Sequence, residues 1–464
     1  MMLRDKRYFA PTFETRLRSD EMNKELTEGN IIKGMVRFSV PYLIACFLQT
    51  FYGLADLFIT GQFNGSASIT AVSVGSQVMH MLTVMIVGLA MGATVSISRQ
   101  VGAGNKAAVS KSIGNTVTLF LVSSAAATFL LLLLIDPILG ALATPQEAIA
   151  ETRVYLTICF AGIPFITAYN VISSIFRGLG DTKHPMYYVA VAGVINVVLD
   201  YVLIGPFCMG AKGAALATVI SQAISVILAF FSLKKQSTEL DVKSSDLKFE
   251  PKTIRFILSV GVPIALQDGL IQISFLIITA IANSRGVDVA AAVGIVEKII
   301  GFLFLVPSAM LSTVSALSAQ NAGAGKHDRS REVLKFGVMM CVGFGMVVFV
   351  ICQFISPQII SLFVNDNSRV AELGGQYLKA YSLDCVFAGI HFCFSGFFSA
   401  YGKSLYSFVH NIISIAAVRV PGAYLASVLF PATLYPMGLA APLGSLLSAV
   451  ICVILFRSGR NYWK

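Results

Sequence analysis

Five acidic residues lie inside long apolar stretches of the sequence, where hydrocarbon or a protein interior would surround them. They are Asp56, Asp200, Asp268, Glu297 and Asp384. An ionisable side chain at the centre of a membrane helix costs roughly 3 kcal/mol on insertion scales, so its presence is by default a sign of function. Carboxyl groups brought together in such surroundings share a proton or coordinate a hard cation such as Na⁺. The first chemistry that the sequence predicts is therefore reversible binding of a small cation.

Asp56 and Asp200 are the strongest candidates for this chemistry, because no basic residue lies close to either along its helix. Gln49, Tyr52 and Asp56 follow the spacing i, i+3, i+7 and share one helix face, and Asn196 and Asp200 share a face at i, i+4. We predict that the two carboxyl groups bind a proton or a transient Na⁺. No other metal and no organic cofactor is expected.

The two acids are predicted to lie at the same depth. At about 1.5 Å per residue, Asp56 lies about 22 Å along its helix from Pro41, and Asp200 lies about 21 Å from Met186. Thr218 is on the next helix, which enters the membrane from the same surface. The three side chains are therefore expected to meet in the outer half of the membrane.

A second candidate site lies in the C-terminal half of the chain. Tyr377, Tyr381, Asp384 and His391 follow helical spacing and would form one polar and aromatic stripe on the tenth apolar run. Aromatic rings beside acids suit an amphipathic organic cation, through apolar contact and cation–π attraction. The predicted substrate cavity combines this stripe with Gln49, Tyr52, Asp268, Gln272 and Glu297.

Structural roles remain open for several of these residues. Asp268 or Glu297 could instead form an ion pair with one of three basic residues within the apolar runs, namely Lys298, Lys379 and Arg419. His391 and the tyrosines could serve only to pack neighbouring helices, as aromatic stripes commonly do in helical bundles.

The elements that must hold these side chains are membrane helices. The chain has 464 residues, of which 56% are apolar and 12% charged, against roughly 25% charged in soluble proteins. Its mean hydropathy is +0.77, and a soluble core could not hide so much apolar surface. A helix needs about 20 apolar residues to cross the hydrocarbon. Twelve such runs are predicted: 35–60, 67–97, 112–135, 154–176, 186–206, 213–233, 254–283, 289–318, 333–356, 373–400, 404–428 and 437–456.

The basic residues indicate the orientation of these helices. If the odd-numbered runs leave the cytoplasm, most loop Lys and Arg residues fall on the cytoplasmic side, as the positive-inside rule requires. The formal net charge of +10 then reflects topology, and no nucleic-acid partner is expected. We predict a multi-pass protein of the cell inner (plasma) membrane with both termini in the cytoplasm.

An internal repeat divides the chain into two halves. Tyr155 recurs 222 residues later as Tyr377, Pro41 recurs as Pro263, and the Gly-Ala-Gly loop at 102–104 recurs at 323–325. Six helices per half give parallel repeats, a transporter architecture with a cavity between the two bundles. The predicted fold is an all-α polytopic membrane protein with two lobes. Its parts are a cytoplasmic segment (1–34), an N-lobe (35–233), a cytoplasmic linker (234–252), a C-lobe (253–456) and a cytoplasmic tail (457–464).

Other motifs argue against enzyme chemistry. Gly178-Leu179-Gly180-Asp181 matches the GxGD pattern of intramembrane aspartyl proteases, but Asp181 falls in a charged turn that ends at Pro185. The glycine-rich loops lack the Walker pattern for ATP. The eight cysteines form no CxxC and are expected to be unpaired small hydrophobes. We expect a transporter and not an enzyme.

From about Ile31 to Phe456, the sequence resembles the MATE (multidrug and toxic compound extrusion) family of bacterial transporters. The resemblance rests on motifs whose order and spacing are specific when taken together. These are Pro41 with Asp56, the loop 100–104 (QVGAG), 177–183 (RGLGDTK), Asn196 with Asp200, 213–218 (GAALAT), 320–325 (QNAGAG) and Arg419.

The resemblance implies a twelve-helix antiporter that expels cationic or amphipathic compounds in exchange for H⁺ or Na⁺. In one branch of the family the cation is coupled by side chains that match Asp56, Asn170, Asn196, Asp200 and Thr218. Another branch pairs a glutamate on the seventh helix with an aspartate on the tenth. Here the seventh helix offers Asp268, while Asp384 is present on the tenth, and this departure favours the first half as the coupling site.

The alternative function is that of a flippase for lipids or lipid-linked oligosaccharides, from the same superfamily. A flippase cavity for pyrophosphate should be cationic, whereas acids outnumber bases within the apolar runs, five to three. The expected partners are a small organic cation or amphipathic substrate and membrane lipids, and a monomer is expected.

Overall fold

The computed structural model describes residues 26–142, 144–239, 244–364, 368–459 and 463, apart from the side chains of 234–239 and 244–245. The predicted N-terminal segment, linker and tail lie partly outside these described residues. Throughout the described part, all regular secondary structure is helical. Ten helices there are long and apolar enough to cross a membrane, and two bent helix pairs bring the number of spans to twelve.

The twelve spans agree with the twelve predicted runs. In chain order they are Ile31–Phe63, Ser66–Gly102, Lys106–Leu133, Gln146–Ala161 with Ile163–Gly178, Lys183–Ile204, Gly210–Glu239, Pro251–Asn283, Val287–Leu303 with Leu305–Gly323, His327–Ser361, Ser368–Tyr381 with Asp384–Ala400, Leu405–Ser414 to Val420–Leu429, and Tyr435–Ser458. They are called spans 1 to 12 below. Spans 1–6 form the first half and spans 7–12 the second half.

Four spans are interrupted, although the sequence runs predicted continuous helices. Span 4 bends by 47° after Ala161, where Gly162 precedes Pro164, a residue that lacks the amide needed to continue the helix. Span 8 breaks at Phe304, and span 10 bends by 40° between its two helices. Span 11 contains a π-helical turn, Ile415–Arg419, just before Pro421.

The outer surface of the bundle is the surface of a membrane protein. Phe58, Phe129 and Phe354 have 68%, 69% and 76% of their surface exposed. Water would penalise each such ring by a few kcal/mol, whereas hydrocarbon does not. The chain is therefore a multi-span membrane protein.

Each half has its own apolar core, and the halves are joined along spans 2 and 7 and at one end of the bundle. One core includes Ile59, Tyr155 and Ile204, and another includes Ile278 and Tyr377. The loops 103–105, 179–182 and 324–326 meet at one end of the bundle, called the basic end below. There the first turns of span 1 pack in a cluster with the second half, including Met35, Phe38, Val314, Leu317 and Phe397.

Two glycines related by the repeat bring the halves into backbone contact at the basic end. A Cβ atom on Gly102 would lie 1.9 Å from the carbonyl oxygen of Gln320, and one on Gly323 would lie 2.0 Å from that of Arg99. The last turns of spans 2 and 8 therefore cross at a distance that only glycine permits. The side chain of Gln320 adds a hydrogen bond to the carbonyl of Gly178 (3.3 Å).

We predict that Gly102→Ala and Gly323→Ala each loosen the basic end, because the added methyl group overlaps a carbonyl on the other half. Overpacking of this kind costs about 1–3 kcal/mol. Hydrogen–deuterium exchange should rise in the ends of both spans 2 and 8, whichever glycine is changed. Gly301→Ala is the matched control, since a Cβ there meets nothing within 4 Å. Unchanged protection of the partner span would contradict this closure.

Candidate functional site

Asp56 and Asp200 are brought together in the first half, as predicted. Asp56 lies two turns before the end of span 1, and Asp200 lies one turn before the end of span 5. Both side chains are buried, and their carboxyl groups face each other. Thr218, two turns into span 6, donates its hydroxyl hydrogen to Oδ2 of Asp56 (3.3 Å). Three spans thus contribute one side chain each.

Several buried polar atoms at the two carboxyl groups have no hydrogen-bond partner among the described residues. Oδ1 of Asp56 and both carboxyl oxygens of Asp200 are buried without a hydrogen-bond partner among the described residues. The same holds for both amide atoms of Asn196, which lies beside Asp56. Buried polar groups in proteins are normally paired, and adjacent carboxylates repel each other. This arrangement can hold a shared proton, or coordinate a small cation through the carboxyl oxygens, the Asn196 carbonyl and the Thr218 hydroxyl.

Further polar residues extend this site, and the sequence analysis missed two of them. Tyr52 on span 1 accepts a hydrogen bond from Nε2 of Gln222 on span 6 (3.0 Å), and Gln222 was not predicted. Tyr155 on span 4 is buried close to both acids. Its only signal in the sequence was its recurrence as Tyr377, which indicated the repeat and not a site.

Asn170 is placed differently from the other predicted coupling residues. It is buried on the second helix of span 4, where its Nδ2 donates to the carbonyl of Ile166 one turn earlier (2.8 Å). It makes no hydrogen bond to Asp56 or Asp200. Its coupling role stays a prediction.

The predicted substrate residues separate into two groups. Gln49, Tyr52, Asp268, Gln272 and Glu297 are partly exposed. Asp268 on span 7 faces Gly88 of span 2, and so lies between the halves, where a cavity residue should be. That these five residues line a substrate cavity stays a prediction.

The second group, on span 10, is buried inside the second half. Tyr377, Tyr381, Asp384 and His391 have at most 4% of their surface exposed, so in this conformation they offer no free surface. The predicted continuous stripe is also interrupted, because the first two residues lie on the helix before the 40° bend and the other two on the helix after it. Neither Pro nor Gly marks this bend in the sequence.

The ion pairs that the sequence left open as a structural role for Asp268 and Glu297 are not formed in the described part of the chain. Within the described residues, Asp268 and Glu297 form no ion pair with Lys298, Lys379 or Arg419. Glu297 instead contacts the hydroxyl of Thr279 (2.9 Å).

Asp181, the aspartate of the GxGD motif, has a structural role. Asp181 accepts hydrogen bonds from the backbone amides of Lys183 (2.9 Å) and His184 (3.2 Å), and its second oxygen contacts the His184 ring. It therefore satisfies free amides in the first turn of span 5. The structure places it in a turn at the basic end, as the sequence predicted.

Comparison with known proteins identifies the family. The MatE family model matches the chain twice, at residues 41–202 and 263–425. The chain belongs to the MATE family. The two matches begin 222 residues apart, which confirms the internal repeat. This MATE protein is 30% identical to the probable multidrug resistance protein YpnP of Bacillus subtilis, over 95% of this chain and 97% of that protein.

Other relatives and solved structures agree. The multidrug export protein MepA of Staphylococcus aureus is 26% identical over 94% of this chain and 96% of that protein. A MATE crystal structure in complex with MaL6 superimposes with a TM-score of 0.88 at 22% identity, covering 95% of this chain and 99% of that chain. The outward-facing structure of a multidrug resistance MATE transporter gives the same score at 22% identity, covering 95% and 98%. At this identity the structures establish the fold.

We predict that Thr218→Val weakens cation binding at the acid pair, because valine keeps the side-chain shape but removes the hydroxyl that contacts Asp56. Loss of a hydrogen bond to a charged group costs about 1.5–3 kcal/mol, which corresponds to roughly a 10- to 100-fold lower affinity. Titration of the purified protein with Na⁺ and with acid measures this affinity. Thr218→Ser retains the hydroxyl and should bind nearly as the wild type does. Equal affinities for the valine and serine variants would contradict a role for the hydroxyl.

We predict that Asp181→Ala lowers stability and leaves the arrangement of Asp56 and Asp200 unchanged. Loss of a helix-capping side chain costs about 0.5–2 kcal/mol. The thermal unfolding midpoint in detergent should fall, and Asp181→Asn, which retains one accepting oxygen, should fall less. A midpoint unaffected by the alanine change would refute the capping role.

Proposed function

We propose that this protein is a secondary active antiporter that exports cationic or amphipathic organic compounds in exchange for H⁺ or Na⁺. The observation that carries the proposal is the pair Asp56 and Asp200, whose buried carboxyl groups face each other with Thr218 and Asn196 beside them. The names of YpnP and MepA, a multidrug resistance and a multidrug export protein, support the substrate class.

The carboxyl pair gives the transporter two electrostatic states. Without a cation, the two negative charges repel each other and attract a positively charged compound in the cavity. Once one proton or Na⁺ is bound, half of this negative charge is cancelled, and the attraction for the compound is weakened. Because the coupling between two ligands is reciprocal, a compound that weakens ion binding is itself released when the ion binds.

Span 1 is suited to transmit this change between the halves. Its first turns, with Met35 and Phe38, pack in the apolar cluster of the second half, whereas Asp56 faces span 5 of the first half. Pro41 interrupts the hydrogen bonding of this helix between the two regions. We propose that ion binding shifts the outer part of span 1 against span 5 and favours rocking of the halves about the central cavity.

We also propose that the basic end faces the cytoplasm, with both termini, in the cell inner membrane. The positive-inside rule supports this orientation. The backbone contact at Gly102 and Gly323 closes the basic end. Under this proposal, the cavity between the halves opens toward the outside when the basic end is closed.

We predict that Asp56→Asn and Asp200→Asn each abolish export while the protein still reaches the membrane. Each variant removes one ionisable group and keeps the side-chain size. Export of a fluorescent organic cation is measured in proteoliposomes under an imposed H⁺ gradient and, separately, an imposed Na⁺ gradient, which identifies the ion. Asp136→Asn is the matched control, since Asp136 is exposed and pairs with Arg153 (2.5 Å).

Normal export by both variants would show that the pair does not couple transport. Absence of dye transport by the wild type, together with binding of a lipid-linked sugar, would favour the flippase function.

A further inference from the structure

An apolar groove runs along the outer surface of span 7, beginning at the basic end. Its volume is about 620 Å³, a size typical of ligand-binding clefts in proteins. The residues that line it belong to the first turns of span 7 and to the segment just before this span. They include Phe249, Ile254, Arg255, Leu258, Val262 and Pro263.

The groove has the length of one membrane leaflet. From Pro251 to Pro263, which both line the groove, an α-helix rises by about 18 Å. The hydrocarbon core of a bilayer is roughly 30 Å thick, so one leaflet provides about half of this distance. Phe249 and Val262 have 59% and 40% of their surface exposed, so the groove is open toward the membrane. One acyl chain aligned with span 7 therefore fits the groove.

Unpaired positive charges lie at the end of the groove where span 7 begins. Lys248, Lys252 and Arg255 are exposed, and none of them forms an ion pair with another described residue. The neighbouring carboxylate, Glu250, accepts a hydrogen bond from the hydroxyl of Thr253 (2.9 Å). Clusters of basic residues at the cytoplasmic end of membrane helices attract anionic lipid headgroups. The groove thus combines apolar walls for a chain with a positive end for a headgroup.

Pro263 gives the inner end of the groove a defined shape. Because proline has no amide hydrogen, the carbonyl of Ser259, four residues earlier, lacks its usual partner within the helix. The hydroxyl of Ser404, at the start of span 11, donates to this carbonyl (2.9 Å). This contact fixes span 11 beside the groove, so the groove lies next to a held helix and not along an isolated one.

Another side of span 7 is in backbone contact with the first half. A Cβ atom on Gly261 would lie 2.2 Å from the carbonyl oxygen of Leu89, and one on Gly92 would lie 2.1 Å from that of Ile257. Span 7 therefore joins the two halves through one side and carries the groove on another. A chain that fills the groove packs against a helix of the interface between the halves.

The repeat supplies an internal comparison for this surface. At the offset of 222, Lys33 on span 1 stands in place of Arg255, and Lys33 is also exposed. The counterparts of the two groove lysines are the uncharged residues Leu26 and Asn30. Span 1 thus keeps one of the three positive charges, which makes Lys33 a matched control.

We propose that this groove binds an anionic phospholipid from the leaflet at the basic end. One acyl chain lies along span 7, and the phosphate lies near Lys252 and Arg255. The bound lipid stabilises span 7 where this helix packs against span 2. The site is separate from Asp56 and Asp200, so it does not depend on the proposed function.

The first test locates the lipid on the full chain in phosphatidylcholine nanodiscs. These contain a small fraction of phosphatidylglycerol or of phosphatidylcholine that carries a photoactivatable diazirine on one acyl chain, and labelled residues are mapped by mass spectrometry. The phosphatidylglycerol probe should label 249–263 about fivefold more than the phosphatidylcholine probe, the factor expected from a single basic residue at a membrane surface. The Lys252→Gln/Arg255→Gln variant should lose this preference, whereas Lys33→Gln should keep it.

A further variant separates the groove from the charges. Leu258→Trp fills the groove and keeps all three basic residues, so labelling of 249–263 by the phosphatidylglycerol probe should fall. Equal labelling of the wild type by the two probes would overturn the proposal. An equal loss of preference in Lys33→Gln and in the double variant would also overturn it, because the lipid would then be attracted by the basic end as a whole.

The second test measures the effect of the lipid on span 7. Hydrogen–deuterium exchange in 251–263 should be slower in nanodiscs that contain phosphatidylglycerol than in phosphatidylcholine alone. The Lys252→Gln/Arg255→Gln variant should exchange at the same rate in both. Equal exchange of the wild type in the two lipids would contradict the stabilising role of the bound lipid.

Discussion

The fold depends on one constraint: a charge buried in a membrane needs a counter-charge, a bound ion or polar side chains beside it. The two halves satisfy it in different ways. In the first half, Asp56 and Asp200 face each other without a basic partner, so balance has to come from an ion that can enter and leave. In the second half, a buried arginine, Arg419, donates a hydrogen bond to the hydroxyl oxygen of Tyr381 and lies over the Phe275 ring. A duplicated six-helix unit has thus kept its architecture while its two centres diverged in electrostatics.

The helices around each centre are long or irregular. Span 1 is 33 residues long, so one continuous helix connects the carboxyl of Asp56 with the apolar cluster of the second half at the basic end. The π-helical turn before Pro421 places Arg419 where its guanidinium reaches Tyr381.

At the basic end the halves meet through backbone atoms at Gly102 and Gly323. The halves also meet at backbone distance along spans 2 and 7, where a Cβ atom on Gly92 would lie 2.1 Å from the carbonyl oxygen of Ile257.

Much of the fold could be predicted from the sequence, because hydrocarbon imposes helix length and apolar composition directly. All twelve spans, the repeat and the meeting of Asp56 with Asp200 and Thr218 follow from spacing and depth. The bend in span 10 was not predictable, since neither Pro nor Gly stands at the break. For Tyr377 and Tyr381 the sequence left both a cavity and a packing role open, because helical periodicity shows that residues share a face and not whether that face meets a cavity or a neighbouring helix. Gln222 and Tyr155 gave no local signal and became part of the site through tertiary packing.

The central claim is that ion occupancy of the pair Asp56 and Asp200 controls the affinity for an exported compound. The most direct measurement is the equilibrium affinity of the purified protein for a fluorescent organic cation, determined over a range of pH and of Na⁺ concentration. In the wild type the affinity should fall as the coupling ion binds, since coupling between the two ligands is reciprocal. In the Asp56→Asn/Asp200→Asn variant it should no longer depend on that ion. An unchanged ion dependence in this variant would contradict the claim.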